Sequence, residues 1–177
     1  MLDPNVADGG LARMIQSFNE TGCATGDPAV DEYLRGNPTA ILMGILFDQR
    51  IRAEVAFSGP YKLNQRLGHL DMRRIADMDP DEFLEVFSAS PAVHRFSNMM
   101  ANRTQEFACK IADEYDGDAA NIWADVPDID EINERIRAFS GFGPGKLKKL
   151  VPAMRLFEYW VGGAGPGSTA SVATRSA

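Results

Sequence analysis

A chain of 177 residues, 45% of them hydrophobic, is long enough to bury one core, which we expect to be divided between two lobes. Its net charge of −7 argues against indiscriminate binding to polyanions. It has two cysteines (Cys23, Cys109) and two histidines (His69, His94), which excludes a four-cysteine iron–sulfur cluster and argues against a disulfide framework or a histidine-rich zinc site. We therefore expect no metal and no cofactor.

The sequence contains no apolar run long enough to span a bilayer, and no secretory signal opens it. With only two unsupported cysteines, the expected setting is a reducing, cytoplasmic one without membrane contact.

Short helices are predicted in the first half of the chain. Residues 1–36 mix Gly, Asp and Asn with apolar positions and predict a loose arm, with one or two helical turns, that packs on the second lobe. Asn37 is a predicted helix cap with Pro38 at the first helical position. Residues 40–47 are all apolar or small without alternation, which predicts a central buried helix. Further helices are predicted over 52–57 and 61–67, with a break at Ser58-Gly59-Pro60.

Helix starts recur in the second half. Asp71 and Asp79 each begin a helix, a longer helix is predicted over 97–115, and Asp118 caps a short one that ends at Trp123. No segment shows the alternation of a half-buried strand. The sequence therefore predicts an all-α protein.

A glycine hairpin is the most informative segment of the chain. Gly141 suits a left-handed helix stop, and Gly143 can cap a second helix with Pro144 at its first position. The start of that helix offers free N–H groups and the positive end of its dipole. Nearby lie three lysines, Lys146, Lys148 and Lys149. These features predict a site for a nucleic-acid backbone phosphate.

Charge around the hairpin supports that interpretation. Residues 131–160 carry a net charge of about +3 on an otherwise acidic chain, as expected for a local binding surface. The alternative is that Gly-x-Gly only turns a corner and that the lysines form a solvated face, and a short motif by itself leaves both readings open.

Four segments together resemble the helix-hairpin-helix, Gly/Pro-Asp-loop superfamily of base-excision DNA glycosylases, in particular its small bacterial branch. They are Asp48-Gln49-Arg50, residues 90–96, residues 114–120 and the hairpin of residues 139–150. The resemblance covers roughly residues 38 to 150. It implies a two-lobe helical fold with a DNA-facing cleft, in which a damaged base is extruded and its glycosidic bond is cleaved.

The resemblance also implies an organisation and a partner. Residues 37–117 would form a helical lobe, residues 118–161 the helix-hairpin-helix region and residues 162–177 a flexible tail. The partner would be double-stranded DNA carrying a damaged or modified base, bound by a monomer in the bacterial cytoplasm and associated with the nucleoid. The residues expected to contact DNA are Gly141, Gly143, Gly145, Lys146, Lys148, Gln49, Arg50 and Arg95.

The sequence departs from the superfamily where the chemistry is concerned. In the superfamily, a catalytic aspartate follows the hairpin near a stretch of Gly and Pro. Residues 162–167 fall near that place in this sequence and contain Gly and Pro, but no acidic residue. Lys146 lies one residue later than the lysine nucleophile of bifunctional members, and Pro152 is expected to kink the second hairpin helix. Asp48 is the best remaining catalytic candidate, as a partly desolvated carboxylate at the edge of an apolar cleft. The alternative is that Asp48 satisfies a helix end or pairs with a neighbouring arginine.

The His94-Arg95 pair and the aromatic residues are each open to more than one interpretation. His94 and Arg95 form either a cleft-lining pair or an ordinary helix entry, with Arg95 on phosphate. The aromatic residues are expected to be core, except Phe142, which is expected to be less buried at the hairpin tip.

Three functions remain open from the sequence. The first is an active glycosylase, in which Gln49 fills or probes the space that the extruded nucleotide leaves. The second is a catalytically inactive reader of distorted or modified DNA. The third is a protein-interaction module built on the same fold.

Overall fold

The computed structural model describes residues 1–125 and 128–159, and every regular element within those ranges is helical. The predicted all-α class is confirmed. The α-helices are α1 (Gly9–Thr21), α2 (Pro28–Leu34), α3 (Pro38–Phe47), α4 (Ala53–Leu67), α5 (Met72–Asp77), α6 (Pro80–Ser88), α7 (Ser97–Glu114), α8 (Ile129–Arg137), α9 (Pro144–Leu147) and α10 (Leu150–Leu156). Short 3₁₀ helices cover Pro4–Val6 and Ala119–Ile122. The two-lobe arrangement stays a prediction, and the predicted tail of residues 162–177 lies outside the described residues.

The helix starts follow the predicted caps. Side-chain oxygens of Asn37, Asp71, Asp79 and Asp118 each accept a hydrogen bond from a backbone N–H one turn into the helix that they begin. These bonds satisfy donors that have no partner within the helix. Because the interaction is local, the sequence was sufficient to place these starts.

Helix α3 is the centre of the core. All eight residues 40–47 are buried, as predicted. Helix α4 packs against it through two reciprocal contacts, in which Phe57 lies over Gly44 and Phe47 lies over Gly59. A Cβ atom at Gly44 or Gly59 would come within 2.5 Å and 2.6 Å of those rings. The two glycines therefore allow the helices to approach closely enough to bury both phenylalanines.

The predicted break at Ser58-Gly59-Pro60 is wrong, because α4 runs through it without interruption from Ala53 to Leu67. Pro60 removes one backbone donor, at a cost of about 3 kcal/mol in a helix interior. Gly59 and Pro60 are both buried, and Gly59 packs on Phe47. The burial of this face of α4 outweighs the lost hydrogen bond.

The N-terminal segment is more regular than a loose arm with one or two helical turns, so that expectation is also wrong. Helix α1 has 13 residues and buries Leu11, Met14 and Ile15 at helical spacing. It packs on α4 and α10, while α2 packs on α4 and α3. Helices α5 and α6 pack on α7. The buried hydrophobic residues of all these elements form one continuous cluster.

The second hairpin helix is divided into α9 and α10, with a turn at Lys148-Lys149 between them. Pro152 is the third residue of α10, where its missing N–H costs nothing because the first turn has no intrahelical acceptors. An uninterrupted helix would instead need that N–H to bond the carbonyl of Lys148. Pro152 thus explains the division, which replaces the predicted kink.

Candidate functional site: a junction between the hairpin and the end of helix α3

Helix α3 ends in a tight turn at the predicted catalytic residue. Asp48 is the residue after the helix, and its backbone N–H donates to the carbonyl of Ile45 at 3.2 Å. Gln49 N–H donates to the Phe47 carbonyl at 2.8 Å, and Arg50 has a φ of +56°, in the left-handed region. The turn places Asp48 and Gln49, both half-buried, at the end of the most buried helix, and leaves Arg50 exposed.

The hairpin has the backbone geometry that the sequence predicts. Gly141 has a φ of +90°, and Gly143 is extended and precedes Pro144, the first residue of α9. A Cβ atom at Gly141 would lie 2.9 Å from Leu46 Cδ1 and 3.2 Å from Arg103 Cδ. Glycine is therefore required at 141 both for its backbone conformation and for the close approach of α3 and α7.

Two lysines of the hairpin turn toward the end of α3. Lys146 is 9% exposed, and its Nζ donates to the Leu46 carbonyl at 2.7 Å and to Gln49 Oε1 at 3.1 Å. Lys149 Nζ lies 2.7 Å from Asp48 Oδ2. Asp48, Gln49, Arg103, Lys146 and Lys149 together form what we call the junction. The lysines are 97 to 101 positions away in sequence from the residues that they contact.

Arg103 of α7 completes the junction and was not singled out by the sequence analysis. Its Nη1 donates to Gln49 Oε1 at 3.1 Å, so Gln49 receives hydrogen bonds from two cations. A single arginine in a long amphipathic helix carries no local signal of such a role. Only the packing of α7 beside Gly141 reveals it.

The positive charges of the junction affect one another. The pKa of Lys146 is lowered to about 8, first by burial and then by the charges of Arg103 and Lys149, while Asp48 acts in the opposite direction. A cation held in this surrounding gives up its proton more readily than an ordinary lysine. Three cationic side chains meet one carboxylate here, so the junction has an excess of positive charge.

His94 anchors the segment of residues 90–96 to the same helix end. Its ring is 1% exposed, and Nε2 lies 2.9 Å from the Phe47 carbonyl, which can only accept. Nδ1 accepts the N–H of Phe96 at 3.0 Å. Burial lowers the pKa of His94, and the charge of Lys146 acts in the same direction, while the hydrogen bond to the Phe47 carbonyl acts in the opposite one. His94 is thus a neutral structural link, whereas its neighbour Arg95 is exposed and lies over the Phe96 ring.

The remaining predicted contact residues lie at the hairpin surface. Gly143, Gly145 and Lys148 are exposed, and Gly141 is half-buried. Gly145 and Lys148 line a groove of about 440 Å³ whose other wall is the segment from Asn5 to Asp8. Helix α9 has only four residues, so the macrodipole expected at its start is that of a single turn.

The structure overturns the expectation that Phe142 is less buried than the other aromatic residues. It is 3% exposed and packs with Phe107 and Phe139, at ring-centroid distances of 6.3 Å and 6.1 Å. The aromatic side chain at the hairpin tip therefore fixes the hairpin to α7 and is not available for stacking on a base.

Comparison with protein-family models, with curated proteins and with solved structures gave no match. No helix within residues 1–125 and 128–159 combines the length and apolar character needed to cross a bilayer. The same residues contain no group of three or more His, Cys, Asp or Glu side chains placed to hold a metal ion.

Proposed function

We propose that this protein binds double-stranded DNA and acts as a DNA glycosylase of the base-excision type on a damaged or modified base. The observation that carries the proposal is the direct contact between the two separate segments on which the resemblance depends. Asp48-Gln49, expected in the DNA-facing cleft, and the hairpin lysines meet at hydrogen-bond distance in the junction.

The charges around the junction support DNA binding. Arg50, Arg95 and Lys148 are exposed and pair with no carboxylate in the described part of the chain. Cations that are not paired with a carboxylate are free to neutralise phosphates and release counterions. On a protein with a net charge of −7, such a local surface favours bound DNA in one orientation over indiscriminate binding.

Asp48 is the proposed catalytic carboxylate. Cleavage of a glycosidic bond places positive charge on the sugar, and a nearby carboxylate stabilises that charge. The Asp48 side chain is 10% exposed and paired with Lys149. Catalysis by Asp48 therefore requires that bound DNA weaken this ion pair, for example by drawing Lys149 to a phosphate.

The same ion pair favours a second candidate function. In the free protein the carboxylate is already matched with a cation at 2.7 Å, which is the arrangement of a structural clamp. A protein in which the clamp persists on DNA would be a catalytically inactive reader of distorted or modified DNA.

Base release distinguishes the two functions. Purified protein is incubated with duplexes that each carry one of a broad panel of modified bases, and free base is detected by mass spectrometry and abasic sites by gel. Release that disappears in Asp48→Asn supports the glycosylase with Asp48 as its carboxylate, because the substitution keeps size and removes charge. Release that persists in Asp48→Asn eliminates Asp48 from that role.

Two further outcomes complete the test. Salt-sensitive binding without any release across the panel supports the inactive reader. Absence of salt-sensitive DNA binding contradicts both functions and leaves the protein-interaction module, which a pull-down enriched for one protein would support.

A further inference from the structure

Gln49 is held in one orientation by its two cationic neighbours. Arg103 Nη1 and Lys146 Nζ each lie 3.1 Å from the same amide atom. Guanidinium and ammonium groups only donate hydrogen bonds, so the atom between them is the amide oxygen. Rotating the amide by 180° would place its NH₂ group against two donors, which costs two hydrogen bonds. The amide orientation is therefore set by the protein.

The other end of the amide is available to a ligand. Gln49 is half-buried, and its Nε2 donates to no group among the described residues. Nε2 is also absent from their buried polar atoms that lack a partner, which are Glu54 Oε2 and Asn133 Oδ1. An unpaired amide nitrogen that is not buried is in contact with solvent.

We infer that Arg103 and Lys146 are positioning residues that restrict Gln49 to donating hydrogen bonds, so that Gln49 selects an acceptor oxygen on bound DNA. The inference rests on the proposed DNA binding and deepens it by naming the chemistry that Gln49 recognises. A free glutamine offers both a donor and an acceptor and can read adenine with both. Gln49 has its acceptor occupied and reads acceptors alone.

Gly141 makes this arrangement possible. A Cβ atom at that position would approach the Arg103 side chain at 3.2 Å from Cδ and 3.4 Å from Nε. The hairpin glycine thus leaves room for Arg103 to reach Gln49, and the hairpin supplies Lys146 on the other side. The hairpin contributes to recognition through Gln49 in addition to any contact that it makes with DNA.

The acceptor oxygen belongs either to a phosphate or to a base, and DNA analogues separate the two. Binding of the full-length protein is measured by fluorescence anisotropy to a duplex with a tetrahydrofuran abasic site opposite thymine. In one analogue difluorotoluene, a non-polar thymine shape mimic, replaces the thymine. In a second set, methylphosphonates replace single phosphates near the abasic site. Loss of one hydrogen bond is expected to weaken wild-type binding about five- to tenfold in one of the two series.

Variants test the part played by the positioning residues. In Arg103→Met/Lys146→Met the amide is free to rotate, and we expect the loss caused by the sensitive analogue to shrink to less than about twofold. Gln49→Glu keeps an oxygen for both cations and replaces the free donor by a second oxygen. This variant retains the contacts that hold the fold, so it tests the inference even if the double variant does not fold. We expect Gln49→Glu to bind the duplex with thymine and unmodified phosphates more weakly than the wild type does. We also expect it to bind the sensitive analogue with the same affinity as that duplex.

Each outcome is decisive. A wild-type loss in the difluorotoluene series that Gln49→Glu does not share assigns the acceptor to a base. A wild-type loss in the methylphosphonate series that Gln49→Glu does not share assigns it to a phosphate, because losses caused by removing the phosphate charge from a cation are common to both proteins. Losses of equal size in the wild type and in Gln49→Glu for every analogue overturn the inference while leaving DNA binding intact. A Gln49→Glu protein with the wild-type affinity and the wild-type analogue sensitivity also overturns it. If the wild-type protein binds no duplex, the proposed function fails and the inference fails with it.

Discussion

Lys149 Nζ lies 2.7 Å from Asp48 Oδ2 and ties the turn between α9 and α10 to the end of the most buried helix. The two residues are 101 positions apart, and the Asp48 side chain is 10% exposed. A pair that is shielded from water to this extent is screened less by salt than a surface pair. The contribution of this ion pair to the free energy of unfolding can therefore be measured separately from its proposed part in function.

We expect the Asp48–Lys149 pair to contribute about 1–3 kcal/mol of coupling free energy, because removing either partner leaves a partly buried charge without its match. A double-mutant cycle with Asp48→Asn and Lys149→Met, followed by urea unfolding, measures this coupling. The control is the Lys110–Glu114 pair on α7, whose glutamate side chain is 53% exposed. That pair should give only about 0.3–0.5 kcal/mol. Equal coupling in both cycles would contradict the proposed shielding of the junction.

The hairpin glycines should differ sharply in their tolerance of a methyl group. Gly141→Ala combines a left-handed φ with a contact at 2.9 Å to Leu46, and should lower the free energy of unfolding by about 2–4 kcal/mol. Gly143→Ala is the matched control, since Gly143 has a φ of −86° and a Cβ atom at this position would meet nothing within 4 Å. It should cost less than about 1 kcal/mol. Chemical denaturation followed by circular dichroism compares the two variants.

Charge reversal at the hairpin surface should weaken DNA binding. Lys148→Glu is expected to lower duplex affinity roughly tenfold and to reduce the slope of log affinity against log salt concentration by about one, with little change in sequence preference. Arg74→Glu on α5 is the control, because Arg74 is exposed in a groove with Asp71, Asp77 and Asp116, which is separate from the groove that Lys148 lines. Fluorescence anisotropy at several salt concentrations measures both variants. A similar loss in the two would show that the binding is unspecific attraction to positive charge.

His94 should make the fold sensitive to mild acid. Its pKa is lowered in the folded state by burial, so the unfolded chain binds more protons when the pH falls below about 6.5. Its contribution to stability is therefore complete above that pH and is lost as the pH falls towards the lowered folded pKa. Unfolding midpoints between pH 7.5 and 5 should decline less steeply in His94→Gln than in the wild type. The slope should largely remain in His69→Gln, because the His69 ring is much less buried.

Lys146 should make the free energy of unfolding depend on pH in mild alkali. Its pKa is about 8 in the folded protein against 10.5 for an ordinary lysine, so the unfolded chain binds more protons between these values. Stability attributable to this residue therefore rises as the pH increases from about 8 towards 10.5. The difference in unfolding free energy between wild type and Lys146→Met, measured from pH 7.5 to 9.5, isolates this contribution. A difference independent of pH would show that Lys146 is not desolvated as the structure indicates.

Local chemistry explains which parts of the fold the sequence could predict. The caps at Asn37, Asp71, Asp79 and Asp118 bond backbone groups within three residues of themselves, so the same residues define the helix starts in any tertiary setting. The left-handed stop at Gly141 and the continuous apolar run of α3 are local in the same sense. The break expected at Pro60 failed because burial of Gly59 against Phe47, twelve residues away in another helix, outweighs a local preference.

The candidate site depended on the tertiary structure to a greater extent. The sequence determined that Asp48, Gln49 and the hairpin lysines lie near helix ends, because neighbouring residues set where a helix begins and ends. Only the packing of α3, α7 and the hairpin decided that Lys146 points inward to Gln49, that Phe142 is buried on Phe107, and that Arg103 joins them. Side-chain direction at these positions is set by contacts with residues about 35 to 100 positions away, which no local pattern encodes.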